Sequence, residues 1–328
     1  MKPSRVLSRV LLGATVASFA VGTAFSSAVA AEKTITGINF APDHVFYGKP
    51  LTEFADLVNK AGKGLKLDLK PYGSIGMFEI GNAVKNGVVD MANLPPTFMS
   101  NVVPVAEIIK LSTKPMSELR ANGTWDLYNE ALNKQGNMQL LTAWGDGVNF
   151  HIYLRDKKID KPDLSGLKMR AVPAYRAGFA NLGATPVNMP FNELYTALER
   201  KVIDGYGITL SNIVTWGWSK FTKYRVDPGF YEVWSTFIIN KDTWDGLEQA
   251  HKDLLMDVSN QVYDIVAKRV PEQNAQDIRE QKEAGMEVIT FTGAAAEKLH
   301  DAMYESAWTE MAKKAPEYTP KFRKLIAD

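Results

Sequence analysis

Two stretches of this chain follow one plan: AVKNGVVD, from Ala83 to Asp90, returns in outline as ALERKVID, from Ala197 to Asp204. Each reads as a helix end, a polar break and the start of a strand, which constrains the chain to two lobes of like design. The patterns around both copies agree with this. In the first half Thr34 to Phe40 alternates as a strand, Pro50 to Val58 sets Leu51, Phe54, Ala55 and Val58 at helical spacing, and Leu65 to Tyr72 alternates again. Phe78 to Val84 reads as a helix stopped by Asn86-Gly87, and Val88-Val89 opens the next strand. In the second half Lys168 to Val172 is a strand, Ala174 to Leu182 a helix and Thr185 to Met189 a strand. Asn192, a good N-cap, opens a helix through Glu199, and Val202-Ile203 begins another strand. Strands alternating with helices predict largely parallel sheets packed between helices.

The remainder reads as mostly helical. Leu254, Val258, Val262, Ile265 and Val266 form an apolar stripe on a long helix, which Pro271 should kink or mark as a junction. Met286 to Phe291 reads as a strand, and Ala294 to Lys313 as a surface helix carrying Leu299, Met303 and Trp308. No flexible linker separates the halves, so the chain is expected to cross between lobes more than once.

Residues 1–31 read as a cleaved signal peptide: Lys2, Arg5 and Arg9 precede an apolar and small-residue run, and Ala28-Val29-Ala30 ends it in a small-x-small site. A retained anchor is the competing reading, but a spanning helix needs about 20 mostly apolar residues, and this run is short and rich in Ala, Gly, Ser and Thr. No later segment is long and apolar enough to span a bilayer, so the mature chain is expected in the periplasm and not in the membrane. Removing the three basic residues takes the formal net charge from +1 to near −2, which argues against a nucleic-acid partner. Cysteine is absent, so disulfides, thiolate metal sites and cysteine nucleophiles are excluded together.

Signs of catalysis are missing. His44, His151, His251 and His300 lie far apart with neither HExxH nor helical pairing, and no GxSxG, GxGxxG or GxxxxGK motif occurs. No metal, cofactor or enzymatic activity is expected. The residue that invites a role is Arg170, which closes GLKMR at the end of a short predicted buried strand. A guanidinium is a planar fork that grips a carboxylate through two parallel hydrogen bonds. A permanent ion pair within the lobe would use the same residue equally well. The ligand reading gains from the aromatic and amide residues near the same predicted strand ends: Phe40, Tyr72, Trp144, Asn149, Phe150, Phe191, Tyr206, Asn212 and Trp216. Aromatic walls with one charged anchor describe a pocket for a small organic acid, although each aromatic singly also suits a core.

PDLSGLKMRAVP, from Pro162, and LGATPVNMPFNELYTALERKVIDGYG, from Leu182, resemble the signature stretch of DctP-type solute-binding proteins of tripartite ATP-independent periplasmic (TRAP) transporters. Gly76 with Phe78-Glu79, the AVKNGVVDMAN segment, and Trp244 with Leu247 extend the resemblance across the chain. It implies a two-lobed, periplasmic-binding-protein-like α/β fold. Each lobe would be a mixed, mostly parallel sheet flanked by helices, with a long C-terminal helix joining them. Lobe I would comprise 32–148 and 236–275, and lobe II 149–235 and 276–328. It also implies that Arg170 pairs with a ligand carboxylate, that Asn39 lines the first-lobe side and that Phe191 packs against the ligand, which passes to the membrane permease subunits.

Departures from the family pattern narrow the ligand. Sialic-acid binders carry a second arginine where this chain has Asn149, and an asparagine where it has Ile208, which argues against a polyhydroxy sugar acid. Members that bind 2-oxoacids through a metal carry Glu-Trp where this chain has Gly207-Ile208, which argues against a bound cation. The expectation is a monocarboxylate with an apolar or aromatic body. An exported sensor reporting to a receptor would use the same pocket, and an enzyme on a similar scaffold is the third class.

Overall fold

Both copies of the repeated octapeptide adopt one local structure, and its backbone explains the repeat. In the computed structural model, which describes residues 32–327, the helices Ile80–Lys85 and Leu194–Glu199 end two residues before a left-handed position, Gly87 at φ 67° and Lys201 at φ 57°. The next amide then reaches back to the first residue of its copy, Val88 N to Ala83 O and Val202 N to Ala197 O, both at 2.9 Å. This closure satisfies helix carbonyls that would otherwise lack a donor. The closing aspartates also share one task. Asp90 Oδ2 accepts from the Thr36 amide at 2.7 Å, and Asp204 Oδ2 from the Lys168 amide at 2.8 Å. These aspartate turns delay the strands beyond the expected Val88-Val89 and Val202-Ile203 to Met91 and Gly205. The expected signal peptide lies outside the described residues.

In chain order the first strands are β1 (Lys33–Asn39), β2 (Leu65–Leu69), β3 (Met91–Leu94), β4 (Met138–Trp144), β5 (Asn149–Leu154) and β6 (Lys168–Ala171). They are followed by β7 (Thr185–Asn188), β8 (Gly205–Thr209), β9 (Tyr224–Glu232), β10 (Ser235–Asn240) and β11 (Glu287–Thr290). One sheet has the order β2-β1-β3-β10-β4, the other β11-β9-β5-β8-β6-β7. In the first only β10 runs against its neighbours, and in the second only β5 does. Those two strands follow a strand of the other sheet directly, with no helix between. The crossings run side by side: Ser235 pairs with Trp144, Asn149 with Glu232, and Val233 N donates to Val148 O at 2.7 Å. The fold is therefore two-lobed α/β with mixed sheets, each with all strands but one in a common direction.

The long helix, Gln249–Glu283, runs through Pro271 without a break. Leu254, Val258, Val262 and Val266 pack into the first sheet's core with Val270. Ile265, expected in that stripe, is 38% exposed, because one residue is a rotation of about 100° around the helix. Beyond Pro271 the helix serves the other sheet: Asp277 Oδ1 accepts from the Asn212 amide at 3.2 Å, and Gln281 Nε2 donates to Leu210 O at 2.8 Å. Pro271 thus stands at a junction. Asn192 does not cap its helix. Pro190 starts a 3-10 turn over Phe191–Glu193, and that turn leads into the helix with no side-chain cap. Leu299, Met303 and Trp308 on helix Gly293–Lys314 are buried, and Met303 joins the cluster that includes Phe179 and Tyr175. No helix among the described residues is long and apolar enough to cross a membrane.

A charged network pins β5 and β9 to the long helix. Arg225 grips Asp227 through two bonds at 3.1 and 3.0 Å and Gln281 Oε1 at 3.1 Å, while His151 Nδ1 lies 3.0 Å from Asp227 Oδ1. Burial alone would raise the Asp227 carboxyl, but the hydrogen bonds and charges of His151 and Arg225 outweigh it and bring the carboxyl from 3.8 to about 2. A depressed carboxyl stabilises the fold fully above the unfolded value and loses that contribution as pH falls through the folded one. Urea unfolding of wild type should therefore lose stability between pH 3.8 and about 2, and Asp227→Asn should flatten that loss. At Lys201, glycine would relieve the left-handed strain, so Lys201→Gly should raise the unfolding free energy by a few tenths to about 1 kcal/mol.

Candidate functional site

Arg170 sits on β6 between β7 and β8, opposite Val187 and Tyr206 in the ladder. Its side chain reaches the carboxyl ends of these strands, where ligand crevices form in open α/β sheets. Only 2% of the residue is exposed. Nε donates to Met189 O at 2.9 Å, and Nη1 donates to Tyr175 Oη and Gly207 O, each at 2.9 Å. All three acceptors are neutral. Among the described residues no carboxylate forms an ion pair with Arg170, and Nη2 has no hydrogen bond. A buried cation without an anion is costly.

The backbone at β8 makes this arrangement possible. A Cβ on Gly207 would lie 2.6 Å from the Tyr175 ring and 2.9 Å from that of Phe179. Without it, the phenol comes close enough for Tyr175 Oη to donate to Gly207 O while accepting from Arg170. Burial raises the Tyr175 phenol, against the smaller opposing effect of Arg170, so it remains a neutral hydroxyl.

Arg170 faces a cavity between the lobes with about 650 Å³ of empty space, part of it open to solvent. Among the described residues its guanidinium is the one charged group in a wall that is otherwise aromatic, aliphatic or hydroxyl-bearing. Six sequence candidates meet there: Arg170, Phe40, Phe150, Phe191, Ile208 and Trp216. Phe191 packs edge-on to Trp216 at 5.5 Å, and Trp216 stacks on Trp218 at 5.7 Å. From the first lobe Phe40 packs against Phe98 at 5.8 Å and Tyr47 at 5.9 Å.

The other sequence candidates lie elsewhere. Asn39 is buried one residue behind Phe40, where its side chain holds Gly48 O, Asp43 and Asn93, each at 3.0 Å. With Tyr72, which is 39% exposed, it borders a separate depression whose wall also includes Phe40, Pro190 and Asn192. Trp144 is buried behind Tyr47 and stacks on it at 6.2 Å. Asn149 stands in the crossover opposite Glu232. Tyr206 shares its strand face with Ile208 but lies two residues farther from the strand end, stacked on Tyr153 at 5.1 Å and bonded to Thr222 at 2.8 Å. Asn212, at φ 67°, turns its amide to Asp277 on the long helix.

Sequence reasoning missed Tyr47, Thr97, Phe98, Thr209, Ser211 and Trp218 in the wall. Several follow strand ends that were recognised, and that position was the available signal. Three contacts tie the lobes beside the cavity: Tyr47 Oη with Thr209 Oγ1, the Ala174 amide to Thr97 Oγ1 at 3.2 Å, and Lys110 Nζ to Ala174 O at 2.5 Å.

Two α/β lobes joined by paired crossings and meeting over a cleft at their strand ends define the class of periplasmic solute-binding folds. The chain belongs to the bacterial extracellular solute-binding proteins, family 7 (DctP), which its residues 38–315 match. It is 29% identical over 249 residues to the 2,3-diketo-L-gulonate-binding periplasmic protein YiaO of Escherichia coli (strain K12), covering 73% of this chain and 75% of that one. It is 26% identical to the C4-dicarboxylate-binding periplasmic protein DctP of Rhodobacter capsulatus, over 93% of this chain and 97% of that one. Its fold is similar to that of a TRAP periplasmic solute-binding protein from Desulfovibrio salexigens with bound orotic acid. The TM-score is 0.80 at 19% identity, over 89% of this chain and 97% of that one.

Tyr175→Phe removes one acceptor from Arg170 and one donor from Gly207 O. It should cost about 0.5–1.5 kcal/mol in urea unfolding, and an unchanged midpoint would mean that the phenol does not support the arginine.

Proposed function

We propose that this protein captures a small monocarboxylate with an apolar or aromatic body on Arg170, closes its lobes over it and delivers it to a TRAP-type membrane permease from the periplasm. The observation that carries the reading is a buried guanidinium whose hydrogen-bond acceptors are all neutral. An arriving carboxylate would supply the missing charge and pair with the unbonded nitrogen. A wall with one cation favours one carboxylate over two, and the aromatic rings favour an apolar body. Lobe closure strengthens the pair by removing water from around it. Capture fits this wall better than catalysis, since among the described residues its hydroxyl groups, Tyr47, Thr97, Thr209 and Ser211, share it with neither a histidine nor a carboxylate.

A thermal-shift screen over monocarboxylates, dicarboxylates, aromatic acids, sugar acids and neutral sugars tests the reading, because a ligand selective for the folded state raises Tm. The largest shifts should come from monocarboxylates. Arg170→Ala should weaken their binding by about tenfold or more, the equivalent of 1.5–3 kcal/mol for a charge-assisted bond. Shifts from neutral sugars with none from any acid would refute the proposal.

A further inference from the structure

Ala174 is gripped by two first-lobe side chains at once. It lies in the 3-10 turn Pro173–Tyr175 that follows β6, a turn whose own bond is Tyr175 N to Val172 O at 3.2 Å. The Ala174 amide donates to Thr97 Oγ1 at 3.2 Å, and its carbonyl accepts from Lys110 Nζ at 2.5 Å. Thr97 and Lys110 stand in the 3-10 segments Pro96–Met99 and Pro104–Leu111, the two elements that come after β3. Lys110 is itself fixed from two other sides: Nζ donates to Glu107 Oε2 at 2.7 Å and lies 5.4 Å from the centre of the Tyr231 ring. Lys110 and Glu107 are only 8% and 3% exposed. A pair buried so deeply adds little net stability over an apolar pair of the same shape, because both ions lose their water. What it does supply is a directed, charge-assisted bond to one chosen carbonyl.

The next residue is Tyr175, whose phenol accepts from Arg170 Nη1 at 2.9 Å and donates to Gly207 O. We infer that Lys110 and Thr97 are positioning residues for ligand capture, which hold Arg170 in its cleft-facing geometry from the opposite lobe by way of Ala174 and Tyr175. Neither is hydrogen-bonded to the guanidinium itself. The two side chains that tie the Ala174 peptide lie 77 and 64 positions away along the chain, so the turn is held by the first lobe as well as by its own neighbours. The anchor is completed where the lobes meet, and a carboxylate on Arg170 is released faster once that grip is lost. The inference rests on the proposed carboxylate capture and names residues that couple it to the meeting of the lobes.

The test uses the full mature protein and the paired variant Lys110→Met/Glu107→Gln, which removes both charges together and leaves neither ion unpartnered. Exchange of the Arg170 Nε–H with solvent, read by nitrogen NMR on ligand-free protein and assigned with Arg170→Lys, should be about tenfold faster in the variant. Dissociation of phenylacetate and hexanoate, followed by stopped-flow fluorescence of Trp216 and Trp218 in the cavity wall, should quicken by about threefold or more. Both effects should shrink to within about twofold in a Tyr175→Phe background, because residues that act through one intermediary are not additive. A merely structural pair would lower the urea midpoint and leave the Arg170 exchange rate unchanged, and that result would overturn the inference. Full effects that persist in Tyr175→Phe would overturn it too. If the paired variant fails to fold, Thr97→Val, which deletes only the acceptor of the Ala174 amide, decides by the same exchange measurement. If no acid of the thermal-shift screen binds, or Arg170→Ala binds them as well as wild type, the capture proposal fails, while the Arg170 exchange rate still decides whether the clamp holds the side chain.

Discussion

A guanidinium has been taken out of water and given hydrogen-bond acceptors but no counter-charge. Met189 O, Gly207 O and Tyr175 Oη fix Arg170 in place without neutralising it. Neutral acceptors satisfy the directional demand of the N–H groups, while the long-range cost of an unbalanced charge remains. A glycine at position 207 lets the Tyr175 ring approach, and Tyr175 in turn packs at 4.9 Å from Phe150, which borders the Arg170 cavity. Among the described residues no carboxylate balances the charge that these acceptors hold in place.

The two-lobed architecture follows from how the chain crosses. Each sheet receives one strand directly from the other, and that strand is the one running against its neighbours. A short antiparallel ribbon thus joins the lobes, with the long helix passing from one to the other beyond Pro271. Asp277 and Gln281 on that helix hold the backbone of Asn212 and Leu210. The loop bearing Ser211 is thereby fixed by an element rooted in the opposite lobe's core. The contacts beside the cavity from Tyr47, Thr97 and Lys110 are polar. Such contacts can exchange with water when lobes separate.

The repeat was legible because it encodes backbone geometry. A helix stop, a left-handed residue and an aspartate that accepts from the neighbouring strand recur at fixed spacing, and local chemistry suffices to write them. The stripe from Leu254 to Val266 was legible for the same reason, since helical periodicity alone selects its face. Ile265 shows the limit, because hydrophobicity without the correct angle does not place a side chain in a core. Asn192 shows another, where proline at 190 dictated the turn and a residue suited to capping was left inside it.

The sequence by itself determined the alternation of strands and helices, the two like lobes and an arginine at a strand end, because these depend on neighbours within a few residues. It did not determine which aromatic residues face the cavity. Trp144 and Tyr206 were expected beside Trp216 and Ile208, yet one packs behind Tyr47 and the other lies too far down its strand. Tertiary structure alone decided that the wall would include Tyr47, Thr97 and Phe98 from one lobe and Thr209, Ser211 and Trp218 from the other. Those residues meet only when the lobes do, and their separation along the chain leaves no local pattern for the sequence to display.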